Sequence, residues 1–213
     1  MTDPDCQQFR SDPIAYRPDK IARQIALATQ SGSPLVLCGL CINLRGRRVV
    51  RNVSVPFFKG DGLLLSAGLT TACQLHRREV PVRFDGSLFA GEDHHYGQAL
   101  LASFGINEVP VVQEPLVEVY QDVPSRERTN LRAEAGWRAA RRIWWEFGGR
   151  YSPAAQRLYV LRACVARAKL HRQTGRVMRL MVPLLAAGGA GQIRYGCNAL
   201  LVSAGWARGR WVT

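Results

Sequence analysis

The stretch Pro81-Val82-Arg83-Phe84-Asp85-Gly86-Ser87-Leu88-Phe89-Ala90-Gly91-Glu92-Asp93-His94-His95-Tyr96 carries the chain from extended backbone into a helix. Val80 to Phe84 reads as extended. Gly91 then precedes an acidic pair at the place where a helix over 92–104 should begin. Tyr96, Leu100 and Leu101 share one side of that helix, and Gly105 supplies a left-handed stop. Extended backbone running into a helix here is one step of an interleaving of strands and helices that makes the first 123 residues α/β.

The pattern holds on both sides. Upstream, residues 18–30 predict a helix with Pro18 in its first turn, an apolar stripe of Ile21, Ile25 and Ala28, and Gly32 just past its end. Leu35 to Ile42 reads as a short buried strand, Arg48 to Val55 as a looser one, Gly60-Asp61-Gly62 as a turn, and Thr70 to His76 as extended. Downstream, Val109 to Val112 and Val117 to Gln121 are strand-like. At Pro124 the period changes. Leu131, Ala135, Ala139, Ile143 and Phe147 form one helical stripe ended by Gly148-Gly149. Ser152-Pro153 opens another helix, with Leu158, Leu161, Val165 and Ala168 inward and Arg157, Arg167 and Arg172 outward. Two further helices are expected near 176–187 and 192–206.

Charge divides the chain at the same point. Of 29 Lys and Arg against 16 Asp and Glu, residues 1–123 hold 12 basic and 13 acidic side chains, a net −1. Residues 124–213 hold 17 basic and 3 acidic, a net +14. The expected organisation is therefore an α/β domain over 1–123 and a basic helical appendage over 124–213. Met1 to Arg10 is too polar for a secretory signal, and Leu180 to Ile193 is too short and glycine-broken to span a bilayer. A cytoplasmic protein is expected, free or resting on the inner face of the membrane. Cys38-Gly39-Leu40-Cys41 has the spacing of a redox or zinc pair, but it continues a strand and no second ligand pair accompanies it. It reads as two small hydrophobes.

The pair Glu92-Asp93 has two readings. One is helix capping, in which carboxylates meet the unpaired N–H groups of a first turn. The other uses the same placement for catalysis, since a positioned carboxylate can take the proton of an attacking hydroxyl.

Three segments in order resemble the acceptor side of family 2 glycosyltransferases, the inverting enzymes with the A-type nucleotide-sugar fold. They are Arg17-Pro18-Asp19-Lys20-Ile21-Ala22-Arg23-Gln24, then Arg83-Phe84-Asp85-Gly86-Ser87-Leu88 with Gly91-Glu92-Asp93, then Val109-Pro110-Val111-Val112-Gln113-Glu114-Pro115-Leu116-Val117. The resemblance spans about residues 12–121. It implies Asp93 as general base, with Glu92 supporting it or orienting the acceptor; Tyr96 and His94, next on the same helix, have no fixed counterpart in the family and are candidate acceptor-binding residues. It also implies a nucleotide-sugar donor, a glycan acceptor and a divalent metal, Mg or Mn. Only Asp12 stands near the place of the family's paired metal aspartates. Most of the nucleotide-binding half that precedes this region in the family has no counterpart, so a partial A-type sheet is expected.

The basic helices have three readings. Arg138, Arg141 and Arg142 beside Trp144, Trp145 and Phe147, and the tail Trp206, Arg208, Arg210 and Trp211, suit a solvated surface, an anionic membrane or nucleic acid. Two functions follow. One is inverting sugar transfer to a hydroxyl of a lipid-linked or envelope glycan. The other is an inactive truncated module that holds a membrane or nucleic acid through its basic helices.

Overall fold

The computed structural model describes residues 14–44, 47–66, 68–120 and 126–204. The described residues are α/β, with six strands in one mixed sheet and seven α-helices. In chain order the elements are β1 (Ile14–Tyr16), α1 (Lys20–Ser31), β2 (Leu35–Leu44), β3 (Arg47–Arg51), β4 (Phe57–Lys59), α2 (Asp61–Leu65), β5 (Gln74–His76), α3 (Glu92–Phe104) and β6 (Glu108–Tyr120). Four helices follow: α4 (Arg126–Phe147), α5 (Pro153–Leu170), α6 (Thr174–Gly188) and α7 (Ile193–Ser203). The main sheet path runs β1-β6-β2-β3, while β4 pairs β6 and β5 pairs β2.

The chain forms two compact units. The first takes residues up to Phe57, Ala72–Arg77 and Val109–Val123, and the second takes Phe58–Thr71, Arg78–Glu108 and Pro124–Thr213. The change of composition at 123/124 is thus also a change of unit. Residues 58–71 and 78–108, however, group with the C-terminal helices.

In the first unit β2 lies between β3 and β6, parallel to β6 and antiparallel to β3. Its run Leu35-Val36-Leu37-Cys38 is wholly buried, as an unbroken apolar strand within a sheet should be. The two short strands expected at 109–112 and 117–121 are one strand, β6. What separates them in sequence, Gln113-Glu114-Pro115, coincides with a register shift on either side of Gly39. Pro115 has no N–H to give the ladder.

Helix α1 lies the other way round from its expected orientation. Ile21 and Ile25 are about half exposed, and the buried positions are Lys20 and Gln24. The cause is a tertiary hydrogen bond. Gln24 Nε2 donates to the Cys73 carbonyl at 2.9 Å and to the Val36 carbonyl at 3.4 Å, which turns the polar row 20/24 inward. On the outer side Arg23 pairs with Asp19 at 2.6 Å and with Glu114. Gln24→Ala should therefore cost about 1–3 kcal/mol, because it strips buried carbonyls of their donor. Ile25→Ser should stay within about 0.5 kcal/mol. Urea unfolding of the two variants checks this order, which is the reverse of what the apolar stripe alone implies.

Two smaller expectations also change. Gly60-Asp61-Gly62 opens the short helix α2, and residues 78–90 form no strand. Cys38 and Cys41 are buried, and Arg48 Nε donates to the Cys41 sulfur at 2.8 Å.

In the second unit Ala135, Ala139 and Ile143 of α4 are buried on the expected stripe. Ser152 caps α5 by accepting from Ala155 N, with Pro153 in the first turn. Leu158, Val165 and Ala168 of α5 form a core with Val177, Leu184 and Ala199. Among the described residues, no helix is long and apolar enough to cross a membrane.

Candidate active site at the start of helix α3

Helix α3 begins at Gly91, whose φ of +79° is left-handed and favours glycine. A Cβ there would also stand 2.9 Å from that of Ala139, so the helix start lies close against α4. Gly91 offers no side-chain cap, and Glu92 and Asp93 occupy the first turn. Asp93 makes a different bond. The hydroxyl of Thr71 donates to its Oδ1 at 2.7 Å. Among the described residues Oδ2 takes no hydrogen bond, and the side chain is half-buried. Glu92 is half-buried beside it.

The loop before α3 is fixed as firmly as the helix. Asp85 Oδ1 accepts from the backbone N–H of Ser87 at 2.9 Å and from its hydroxyl at 2.7 Å, closing an Asx turn. The Ser87 hydroxyl and the Ser87 N–H hold the Asp85 carboxyl below its ordinary value against the opposing effect of burial, with a lesser contribution from the Arg142 charge. Arg142 Nη1 reaches Asp85 Oδ2 at 2.6 Å, and its Nε donates to Glu146 Oε1 at 2.6 Å. Glu146 Oε2 lies 2.8 Å from Nε2 of the buried His95. Since a carboxylate only accepts, Nε2 carries the hydrogen. The chain Asp85–Arg142–Glu146–His95 thus ties loop, α4 and α3 together.

Burial alone would raise the Glu146 carboxyl, but the hydrogen bonds from Arg142 and His95 outweigh it and hold it below its ordinary value. A depressed carboxyl contributes stability above its unfolded pKa, about 4.3 for glutamate, and that stability is lost as pH falls through the folded value. Glu146→Gln should consequently lower the melting temperature at pH 7 and show a smaller further loss on acidification than the parent. Thermal melts across pH 3 to 7 test this. Parallel pH curves for the two proteins would refute it.

The other residues expected here diverge. Tyr96, one turn beyond Asp93, stacks on Phe84 with ring centroids 4.2 Å apart and planes 9° apart. Phe84 is itself half exposed. His94 instead turns toward Tyr159 of α5, with centroids 6.0 Å apart, and lies 3.4 Å from Gln98 Nε2. Burial, reinforced by the neighbouring His95, pushes its imidazole down to about 4, so it is neutral at pH 7. Asp12 lies outside the described residues, as do Trp206, Arg208, Arg210 and Trp211.

No known protein family matches this chain, and no curated protein matches it either. The geometry must therefore carry the function.

Two residues of the site had no local signal in the sequence. Thr71 lies 22 positions from the carboxylate it binds. Arg142 looks like one of several surface arginines until its bonds to Asp85 and Glu146 are seen. Among the described residues, no three His, Cys, Asp or Glu side chains gather into a metal site. What the arrangement offers is a carboxylate aimed by a hydroxyl, with one oxygen open, one helical turn from a braced aromatic pair. It can accept a proton from a hydroxyl and hold an apolar ring face.

Proposed function

We propose that this chain is the acceptor-side part of an inverting nucleotide-sugar glycosyltransferase of the A-type fold. The observation that carries the reading is the Thr71–Asp93 bond. A carboxylate serving only as a helix cap would spend its oxygens on first-turn N–H groups, whereas Asp93 is held from the side. The parallel neighbours β2 and β6, with α3 immediately before β6 in the chain, agree with such a fold.

In the reaction, Asp93 Oδ2 takes the proton of the acceptor hydroxyl as its oxygen bonds to the anomeric carbon. The bond from that carbon to the diphosphate breaks on the opposite face, and the nucleotide diphosphate leaves with the electron pair. Glu92 orients the acceptor. The half-exposed ring of Phe84, braced by Tyr96, supplies an apolar platform for a sugar ring of the acceptor. The half-exposed Ile21 and Ile25 on α1 are an apolar row that a nucleotide-binding layer would cover.

The test is nucleotide diphosphate release from a panel of nucleotide sugars, with and without saccharide acceptors, and NMR of the product anomer. Acceptor-dependent release with inversion is expected. If no nucleotide sugar binds at millimolar concentration, the transferase reading fails. The rival then stands: an inactive module that holds a membrane or nucleic acid through its basic helices.

A further inference from the structure

From Phe147 to Thr213 the sequence has no Asp or Glu, against eleven Lys and Arg. Some of these cations are used internally. Arg150 donates to the carbonyls of Leu101 and Ile106, Arg162 to the Leu65 carbonyl and Gln192, and Arg167 to Glu134. Arg179 of α6 and Arg194 of α7 are exposed, and among the described residues neither has a carboxylate partner.

Both helices are apolar on two sides. Their inner sides bury Val177, Leu184 and Ala199, and Gly196 of α7 stands directly against Met181 of α6. Their outer sides carry a second apolar set. Met178 and Val182 of α6 are 60% and 75% exposed, one helical turn apart and flanking Arg179. On α7, Ile193 and Leu201 are 51% and 43% exposed beside Arg194, with the exposed Cys197 between them in the same row. An exposed apolar row edged by cations is the surface that a helix lying in the lipid headgroup layer presents.

We infer that the outer faces of α6 and α7 dock on an anionic phospholipid surface. The aliphatic chains would enter the headgroup boundary, with Arg179 and Arg194 on lipid phosphates. The helices lie on the bilayer and do not cross it. Charge complementarity selects this occupant. A second copy would bring the same arginines face to face. Nucleic acid would engage the arginines alone, because Met178, Val182, Ile193 and Leu201 have no ring to stack on a base and no donor for a phosphate. The inference does not depend on sugar transfer.

The experiment is co-sedimentation of the full chain with vesicles of phosphatidylcholine mixed with phosphatidylglycerol, and with phosphatidylcholine alone. Two double variants accompany the parent: Met178→Ser with Val182→Ser, and Arg179→Glu with Arg194→Glu. All four positions are exposed, and circular dichroism melts verify the fold of each variant. Binding only to the anionic vesicles is expected, weakening with salt, and each double variant should reduce it by about tenfold or more. Absence of binding would overturn the inference. So would full binding by the Met178/Val182 variant, or binding to duplex RNA as tight as to the vesicles, since either would reduce the surface to a general attraction for polyanions.

Discussion

Asp93→Asn should lose about 10²–10⁴-fold in kcat for sugar transfer, the range general-base catalysis contributes, while the fold persists. The amide matches the carboxylate in shape, and its carbonyl oxygen can still accept the Thr71 hydroxyl, which is 2.7 Å away in the parent. What it cannot do is take the acceptor's proton. Thr71→Val separates positioning from chemistry. It leaves the carboxylate in place but removes the group that aims it, so kcat should fall less than with Asp93→Asn. Activity near the parental level in Asp93→Asn, at equal folded concentration, would remove Asp93 from the mechanism.

Helix α3 was legible because its signals are local. Gly91 and Gly105 both adopt left-handed backbone at its ends, and its first turn is acidic, so the span expected from sequence is the one observed. Helix α1 was legible in extent but not in orientation. An apolar stripe indicates the inward side only when no buried polar group competes, and Gln24 competes by bonding two carbonyls. The partition into units was legible only at 123/124, where composition changes. The attachment of residues 58–71 and 78–108 to the helices rests on bonds between distant positions. Asp61 accepts from Ser152 N at 2.9 Å and from its hydroxyl at 2.5 Å, and Gln98 pairs with the Tyr151 hydroxyl. Such pairs lie 53 to 91 residues apart and leave no periodic trace. The site divides in the same way: its carboxylates were visible as a motif, while Thr71 and Arg142 become visible only once the chain is folded.

The sheet turns on one glycine, which makes Gly39→Ala the substitution with the largest expected cost in stability. Gly39 pairs with Pro115 where the β2–β6 register shifts. A methyl group there would overlap the Glu114 carbonyl and the Val53 side chain. The Val53 methyl can give way. The carbonyl cannot, because it belongs to the backbone of β6, which is held by β1 on one side and β2 on the other. Relief would require the two parallel strands to separate beside Leu37 and Cys38, both fully buried. Overpacking of this kind costs typically 1–3 kcal/mol, and backbone overlap at the centre of a sheet belongs at about 3 kcal/mol or beyond. For a chain of this length that lowers Tm by roughly 10 °C. Gly86→Ala is the control, since a Cβ at Gly86 would meet nothing within 4 Å. Adding Val53→Ala to Gly39→Ala distinguishes the two overlaps. Partial recovery is expected, because the carbonyl clash remains. Full recovery would assign the whole cost to the side chain, and a Gly39→Ala protein that melts with the parent would show that β2 and β6 do not approach this closely in solution.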